Sequence, residues 1–398
     1  MSLNDTPNAE RVHIGFFGRR NAGKSSLINA VAGQTVSVVS DVKGTTTDAV
    51  RRAMELLPLG PVLLIDTPGI DDEGELGKMR VNAAAREMER TDLGVIVVDG
   101  KEGFGKEEAE LAKKLTKLDI PYIVVINKAD LLTKDELARL DPAYIPVSAQ
   151  TLEGIEPLKE RLANLKGDGA CQKTLFEGLI KPLDTVLLVT PIDAAAPKGR
   201  IILPQQTAIR DILDKGAIAI VVKDTELKKA LGKLGKAPDL VVTDSQAFGF
   251  VADVLPKSVP LTSFSILFAR YKGDLALVAN GAYELDKLKD GDTLLISEGC
   301  THHRQCGDIG TEKLPKLILK TTGKKLNFEF TSGGDFPSDL KKYALVVHCG
   351  GCTLNEKEMK SRQRRAKEQN VPITNYGTAI AHCNGILKRS IAVFGEEL

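Results

Sequence analysis

Eight consecutive residues constrain this chain more than any others. Gly18, Arg19, Arg20, Asn21, Ala22, Gly23, Lys24 and Ser25 fit the pattern G-x-x-x-x-G-K-[ST]. The apolar stretch His13–Phe17 precedes them, and the helical pattern KSSLINAVAG follows. A strand that turns through glycines into a helix wraps backbone N–H groups around phosphate oxygens. The positive end of the helix then points at the same oxygens. The chain is therefore expected to be α/β, with a mostly parallel sheet behind the loop. Lys24 is expected to reach the β- and γ-phosphates, and the Ser25 hydroxyl to ligate Mg²⁺. Ala22 and Ser26 complete the phosphate cradle.

Four more elements follow in the order a guanine-nucleotide site needs. Asp66, Thr67, Pro68 and Gly69 come directly after the apolar run VLLI. Asp66 is expected to hold Mg²⁺, and Gly69 to sense the γ-phosphate. Asn127, Lys128, Ala129 and Asp130 follow YIVVI, and the Asp130 carboxylate can accept from the guanine N1 and exocyclic amine, which adenine cannot offer. Ser148 and Ala149 are expected to close over the base. Gly44-Thr45-Thr46-Thr47-Asp48 stands in the switch I position, with Thr46 as the Mg²⁺ threonine and Thr45 or Thr47 as alternatives. The expected catalytic set is Lys24, Thr46, Asp66 and Gly69, turning GTP into GDP and phosphate. Ile70 follows the DTPG motif where many GTPases carry a glutamine that orients water. An apolar side chain cannot do that, so intrinsic hydrolysis should be slow or assisted from elsewhere.

The first ~165 residues thus read as a Ras-like GTPase of the translation-factor-like class. The chain has 398 residues, too many for one such domain. Further apolar runs at 183–190, 217–223, 239–244 and 259–264 alternate with helical stretches and indicate a second α/β unit. A third begins near 264. The expected domains are 9–167 for nucleotide, 173–263 and 264–398, with a polar linker at 166–173. Lys plus Arg total 54 against 53 Asp plus Glu, so bulk charge does not suggest nucleic acid as a partner. No run reaches the ~18 apolar residues of a membrane span, and the N-terminus lacks a signal-peptide pattern. A cytoplasmic protein with reduced thiols is expected.

Four of the six cysteines lie between residues 300 and 352. Cys300 and His302 follow the strand-like TLLISE, while His348, Cys349 and Cys352 follow YALVV. If those strands are parallel neighbours, both groups lie at the carboxyl end of one sheet, where open α/β sheets place ligands. Three thiolates suit an iron–sulfur cluster or zinc. For zinc, His302 or His348 would close the site. For a cluster, His302, Glu298 or solvent is the candidate fourth ligand. Cys306 is a less favoured ligand. Cys171 reads as incidental, Cys383 as core, His303 and His382 as ordinary polar groups, and His13 as structural. The polar helix at 355–369 reads as a solvated face whose Lys and Arg residues offer positive potential.

Two resemblances sharpen this reading. Asn21 together with GTTTD resembles the tRNA-modification GTPases related to Era, which implies that Asn21 helps bind K⁺. The GTPase head, the middle α/β unit and the Cys300-x-His302…His348-Cys349-x-x-Cys352 pattern together resemble the FeFe-hydrogenase maturation GTPases, the HydF family, over essentially the entire chain. That resemblance implies GTP-binding, dimerisation and cluster-binding domains and a homodimer. It implies a 4Fe–4S cluster on Cys300, Cys349 and Cys352, and a scaffold that receives a diiron precursor and delivers it to apo FeFe-hydrogenase. Two radical-SAM maturases would be the other partners. An Era-like, RNA-associated GTPase with a structural zinc module is the alternative, and a redox-sensing GTPase is a third reading.

Overall fold

The computed structural model describes residues 6–33, 38–39, 50–57, 59–69, 81, 83–165, 173–192, 201–300 and 308–397. The chain divides into two compact units, Met1–Cys171 and Gln172–Leu398.

In the first unit, seven strands form one sheet in the order β2-β3-β4-β1-β5-β6-β7. They are β1 (Val12–Phe17), β2 (Val38–Val39), β3 (Val50–Leu56), β4 (Gly60–Asp66), β5 (Leu93–Asp99), β6 (Tyr122–Asn127) and β7 (Ile145–Pro146). β3 runs antiparallel to β4 and β2 antiparallel to β3, while β4, β1, β5, β6 and β7 pair in parallel. The β1 and β5 strands are buried on both faces, which is why their sequences are apolar without alternation. Their side chains still divide by parity. Ile14, Phe16, Val95 and Val97 join one core, with α1 (Lys24–Ala32) and α3 (Ile155–Leu165). Phe17, Ile96 and Val98 join the other, with α2 (Lys106–Lys117).

The second unit holds two four-stranded parallel sheets. One contains β8 (Thr185–Val189), β9 (Ile218–Val222), β10 (Leu240–Thr243) and β11 (Leu261–Ser263), in the order β9-β8-β10-β11. The other contains β12 (Thr293–Glu298), β13 (Asn327–Ser332), β14 (Leu345–His348) and β15 (Ile373–Asn375), in the order β13-β12-β14-β15. Each sheet therefore places its second strand, first, third and fourth side by side. The registers coincide as well. Val186 pairs with Leu240 as Leu294 pairs with Leu345, and Val241 with Leu261 as Val346 with Ile373. The two halves repeat one backbone pattern, and a short trace of it remains in the sequence: Val259-Pro260-Leu261-Thr262-Ser263-Phe264 at β11 corresponds to Val371-Pro372-Ile373-Thr374-Asn375-Tyr376 at β15.

These sheets share a core. Val186, Leu188, Leu294, Ile296 and Val347 belong to one cluster with residues of α4 (Leu203–Asp214), α5 (Phe248–Val254), α6 (Phe264–Lys272) and α7 (Leu275–Ala282). It also takes residues of α8 (Leu314–Thr322). Leu295, Val346 and Ile373 face the opposite way, into a smaller core with Ala366 of α9 (Glu356–Glu368). Helix α10 (Tyr376–Cys383) follows β15 just as α6 follows β11, and the two helices touch. Asn375 and Ser263, at the ends of those strands, cap the two helices with their side-chain oxygens.

Among the described residues, no helix is long and apolar enough to cross a membrane.

Candidate functional site

The phosphate loop is built at the end of β1. Gly18 and Gly23 have φ of 151° and 85°, and a Cβ on either would run into a neighbour: the Val97 carbonyl for Gly18, the Asn127 amide for Gly23. Lys24 is buried, and its Nζ donates to the carbonyls of Gly18 at 2.9 Å and Arg19 at 2.7 Å. The ammonium thus lies along the inside of the loop. Asn21 is exposed and has φ of 60°.

Asp66, at the end of β4, accepts a hydrogen bond from Ser25 Oγ. Burial raises the Asp66 pKa, against the pull of Ser25, Lys24 and Arg52. A carboxylate and a hydroxyl brought together in a partly desolvated place suit a hard divalent cation such as Mg²⁺. Thr67 is buried and donates to Phe16 O at 2.5 Å, which fixes the start of the loop that carries Gly69.

Asn127 joins the phosphate loop to the base loop. Its Nδ2 donates to Ala22 O at 2.9 Å, and its Oδ1 accepts from Ala149 N at 3.2 Å. Lys128, at φ 62°, donates to Asp99 Oδ2 at 2.5 Å. Burial pushes the Asp99 carboxyl up, but hydrogen bonds from Lys128 and the Lys101 N–H outweigh it and hold its pKa below the usual value. Asp130 is exposed on the turn Ala129–Leu131. Ser148 is fully buried, and its Oγ accepts from Thr151 N at 3.1 Å.

Sequence reasoning missed Arg19. Its guanidinium grips Glu108 of α2 with two bonds, at 2.6 and 3.0 Å, and also donates to Gly103 O at 2.9 Å. The pair lies 89 positions apart, and nothing local signals it.

The cysteines gather at the carboxyl ends of β12 and β14, which are parallel neighbours. This is the point where strand order reverses. Cys349 N donates to Ser297 O at 2.8 Å. Cys349 Sγ accepts from Gly299 N at 3.1 Å and from Gly351 N at 3.4 Å. Two N–H groups aimed at one sulfur favour its thiolate form. Gly351 turns the chain at φ 63°. Burial, then the neighbouring Cys349, Cys352 and Glu298, push the Cys300 thiol up to about 12. Burial also pushes Cys349 up to about 11 and raises Cys352, the latter opposed by Lys272. Thiols held protonated this way ionise when a metal cation replaces the protons. Glu298 is buried, and its Oε1 accepts from Tyr376 OH at 3.3 Å.

Among the described residues, no three His, Cys, Asp or Glu side chains are already gathered at metal-ligand spacing. The donor chemistry nevertheless fits a thiolate-bound metal. Three sulfurs lie within electrostatic reach of one another, two N–H groups point at one of them, and a carboxylate lies beside them.

Two expectations need correction. His348 does not offer a free nitrogen to zinc. Its Nδ1 lies 2.9 Å from Cys349 O, and its Nε2 lies 2.9 Å from an Arg362 nitrogen. Burial, then Arg362, lowers its pKa to about 3, so the ring is neutral, donating at Nδ1 and accepting at Nε2. Nor is the helix at 355–369 simply a solvated face. Glu358, Met359, Ser361, Arg362, Gln363 and Ala366 are buried. Arg362 donates to Glu358 at 2.5 Å and Gly333 O at 2.6 Å, and Arg365 donates to Phe336 O and Pro337 O. Arg362 and Arg365 of its charge run thus bind inward, while Lys360 and Lys367 stay exposed. Thr45, Thr46 and Thr47, Ile70, Cys171, His302, His303 and Cys306 lie outside the described residues. Cys383 packs against the shared core, His382 lies 2.9 Å from Asp286, and His13 lies between Asn8 O and Arg90 O.

The sequence pattern of the hydrogen maturase F dimerization domain matches residues 175–273, and that of the hydrogen maturase F tetramerization domain matches 276–393. Together they span more than half of the chain. The chain belongs to the hydrogen maturase F family. The pattern described as 50S ribosome-binding GTPase matches residues 13–128, so the family's two domains follow an N-terminal GTPase domain. That domain is similar to part of the tRNA modification GTPase MnmE of Chromobacterium violaceum, at 33% identity over 180 residues, 44% of this chain and 40% of that protein. It is also similar to the GTPase Era of Geobacter sp. strain M21, at 34% over 168 residues, 40% of this chain and 56% of that protein. The chain thus spans about half or less of these relatives' lengths. Elongation factor SelB of Methanococcus maripaludis, solved with a GTP analogue, aligns at 24% identity over 48% of this chain and 40% of that one. The TM-score of that alignment is 0.34.

Proposed function

We propose that this hydrogen maturase F chain hydrolyses GTP and carries a cysteine-held 4Fe–4S cluster. In this reading it is the scaffold and carrier that delivers a diiron precursor to apo FeFe-hydrogenase. The observation that carries the reading is the meeting of Cys300 with Cys349 and Cys352 at the ends of two neighbouring parallel strands, within a hydrogen maturase F domain.

In the nucleotide site, Lys24 neutralises the β- and γ-phosphates, and Ser25, Asp66 and Thr46 hold Mg²⁺. Gly69 senses the γ-phosphate, Asp130 selects guanine, and Ser148 and Ala149 close over the base. Water attacks the γ-phosphorus, and the products are GDP and phosphate. Asn21 is the K⁺ candidate, a role supported by the similarity to the tRNA modification GTPases. In the second unit, Cys300, Cys349 and Cys352 hold the cluster, with Glu298 or His302 as fourth ligand. A bound cluster supplies a site where the diiron cargo attaches reversibly. The neutral His348, the N–H groups of Gly299 and Gly351 and the buried Glu298 shape that site. GTP turnover serves partner exchange, through switch segments ordered by γ-phosphate and Mg²⁺.

The domains are proposed to run 9–167, 173–263 and 264–398, in a cytoplasmic homodimer working with two radical-SAM maturases. The dimer is supported by the dimerization-domain match, whose span includes the edge strand β9 with Ile218 and Val221 exposed. The RNA-associated alternative is favoured by the relatives of the GTPase domain alone, and it predicts zinc in place of iron.

The test is maturation of apo-hydrogenase by chain loaded with the diiron precursor, read as hydrogen evolution. Wild type should activate the hydrogenase and Cys349→Ala should not. Equal activation by both would remove the scaffold reading.

A further inference from the structure

Lys272 ends α6 and is only 3% exposed. It lies 80 positions before Cys352, in the stretch matched as the dimerization domain, while the cysteine turn belongs to the stretch matched as the tetramerization domain. Its Nζ donates to three carbonyls of that turn: Leu354 at 2.6 Å, Cys352 at 3.0 Å and Gly351 at 3.3 Å. An ammonium has three donors, and these three carbonyls match them. The same Nζ lies 5.3 Å from the centre of the Phe268 ring, one turn back on the helix.

Burying an ammonium is costly even when it is hydrogen-bonded. Across the turn lie Cys349, Cys352 and Cys300, with the carboxylate of Glu298 beside them. Of these sulfurs, that of Cys352 feels the positive charge of Lys272, whose Nζ bonds the carbonyl of the same residue. Helix α6 also braces the other end of the turn. A Cβ on Gly350 would come within 3.2 Å of Ser265 Oγ, and Ser265 O accepts from Asn375 Nδ2 at 2.9 Å. The turn is thus seated on a helix of the preceding half.

We propose that Lys272 is the positioning residue of the cysteine turn. From α6 it fixes the backbone of Gly351–Leu354 and sets a positive charge beside Cys352, so that metal capture depends on the packing of α6. The metal part of this proposal rests on the cluster reading above; the backbone part does not.

Two measurements separate them, on the full chain. In the metal-free protein, Lys272→Met should lose amide-exchange protection across residues 349–354, while Lys272→Gln, which keeps a donor, should retain much of it. Wild-type protection in Lys272→Met would overturn the proposal whatever the metal. With Co(II) as the probe, read by its thiolate charge-transfer absorption, both variants should bind about 10- to 100-fold more weakly than wild type, as is usual when support around metal ligands is removed. Wild-type affinity in Lys272→Gln would overturn the role of the charge, and that variant decides the point if circular dichroism shows Lys272→Met to be unfolded. If wild type itself gives no charge-transfer band, the metal reading fails, and the exchange result alone decides the positioning role.

Discussion

Asn127, Asp99 and Arg362 each show one side chain serving two places at once. Asn127 ties Ala22 to Ala149, so it aligns the phosphate and base loops together. Asn127→Ala should leave the buried Ala22 carbonyl unpaired, at about 1–3 kcal/mol, free the partly buried Ala149 N–H, and weaken GTP and GDP alike in a fluorescent-nucleotide titration. Weakening of only one nucleotide would contradict this. Asp99 holds Lys128, and its pKa is depressed below the ordinary 3.8. The unfolded chain therefore binds the proton first on acidification. The pair's contribution is full above the ordinary carboxylate pKa and fades as pH falls through the depressed one. It is partly exposed and worth about 0.5–1 kcal/mol. Asp99→Asn should be less stable than wild type at pH 7, and the gap in melting temperature should close below pH ~3.8. A gap unchanged by pH would refute the assignment. Arg362 is 3% exposed and bonds Glu358, His348 and Gly333 O. Removing one partner of a buried ion pair costs about 3–5 kcal/mol, so Arg362→Met should lower the melting transition of the second unit. The exposed Lys367→Met should not.

At the scale of elements, legibility follows sequence distance. The phosphate loop, the DTPG turn and the NKAD turn were readable because each packs its chemistry into four to eight residues directly after a strand. The cysteines were readable for the same reason, since Cys300 and Cys349 both lie just past apolar runs. That β12 and β14 are parallel neighbours was only a condition at the sequence level, and the pairing of Ser297 with His348 meets it. Contacts between distant segments gave no local signal. Arg19 fills an unconstrained position of the phosphate-loop pattern, Lys272 belongs to no motif, and Arg362 was one of several basic residues on a helix read as solvated. The repeat of strand order between the two sheets was missed because its sequence trace is short, chiefly Val259–Phe264 against Val371–Tyr376, with unlike segments between. The turn itself makes a prediction. Gly351 has φ of 63°, and a Cβ there would run into the Met359 methyl. Gly351→Ala adds about 1–2 kcal/mol of backbone strain and should lower iron uptake on reconstitution. Undiminished uptake would show that the turn tolerates another shape.

At the scale of the molecule, the chain folds as two compact units, one with the nucleotide loop and one with the cysteine turn. Hydrogen maturase F membership places both in one protein. In the proposed reading each chemistry is local to its unit. Lys24→Ala should abolish GTP turnover and leave metal uptake intact, whereas Cys349→Ala or Cys352→Ala should abolish metal uptake and leave turnover near the wild-type rate. Loss of both functions in either variant would mean that the two sites depend on each other for their structure. The central claim is the cluster itself. Its most direct test is anaerobic reconstitution followed by iron and sulfide analysis and EPR, for wild type beside Cys300→Ala, Cys349→Ala and Cys352→Ala. The account predicts about four irons and four sulfides per wild-type chain with a reducible cluster signal, and loss of that signal in each variant. Zinc without iron in the wild type, or full iron in the variants, would contradict it.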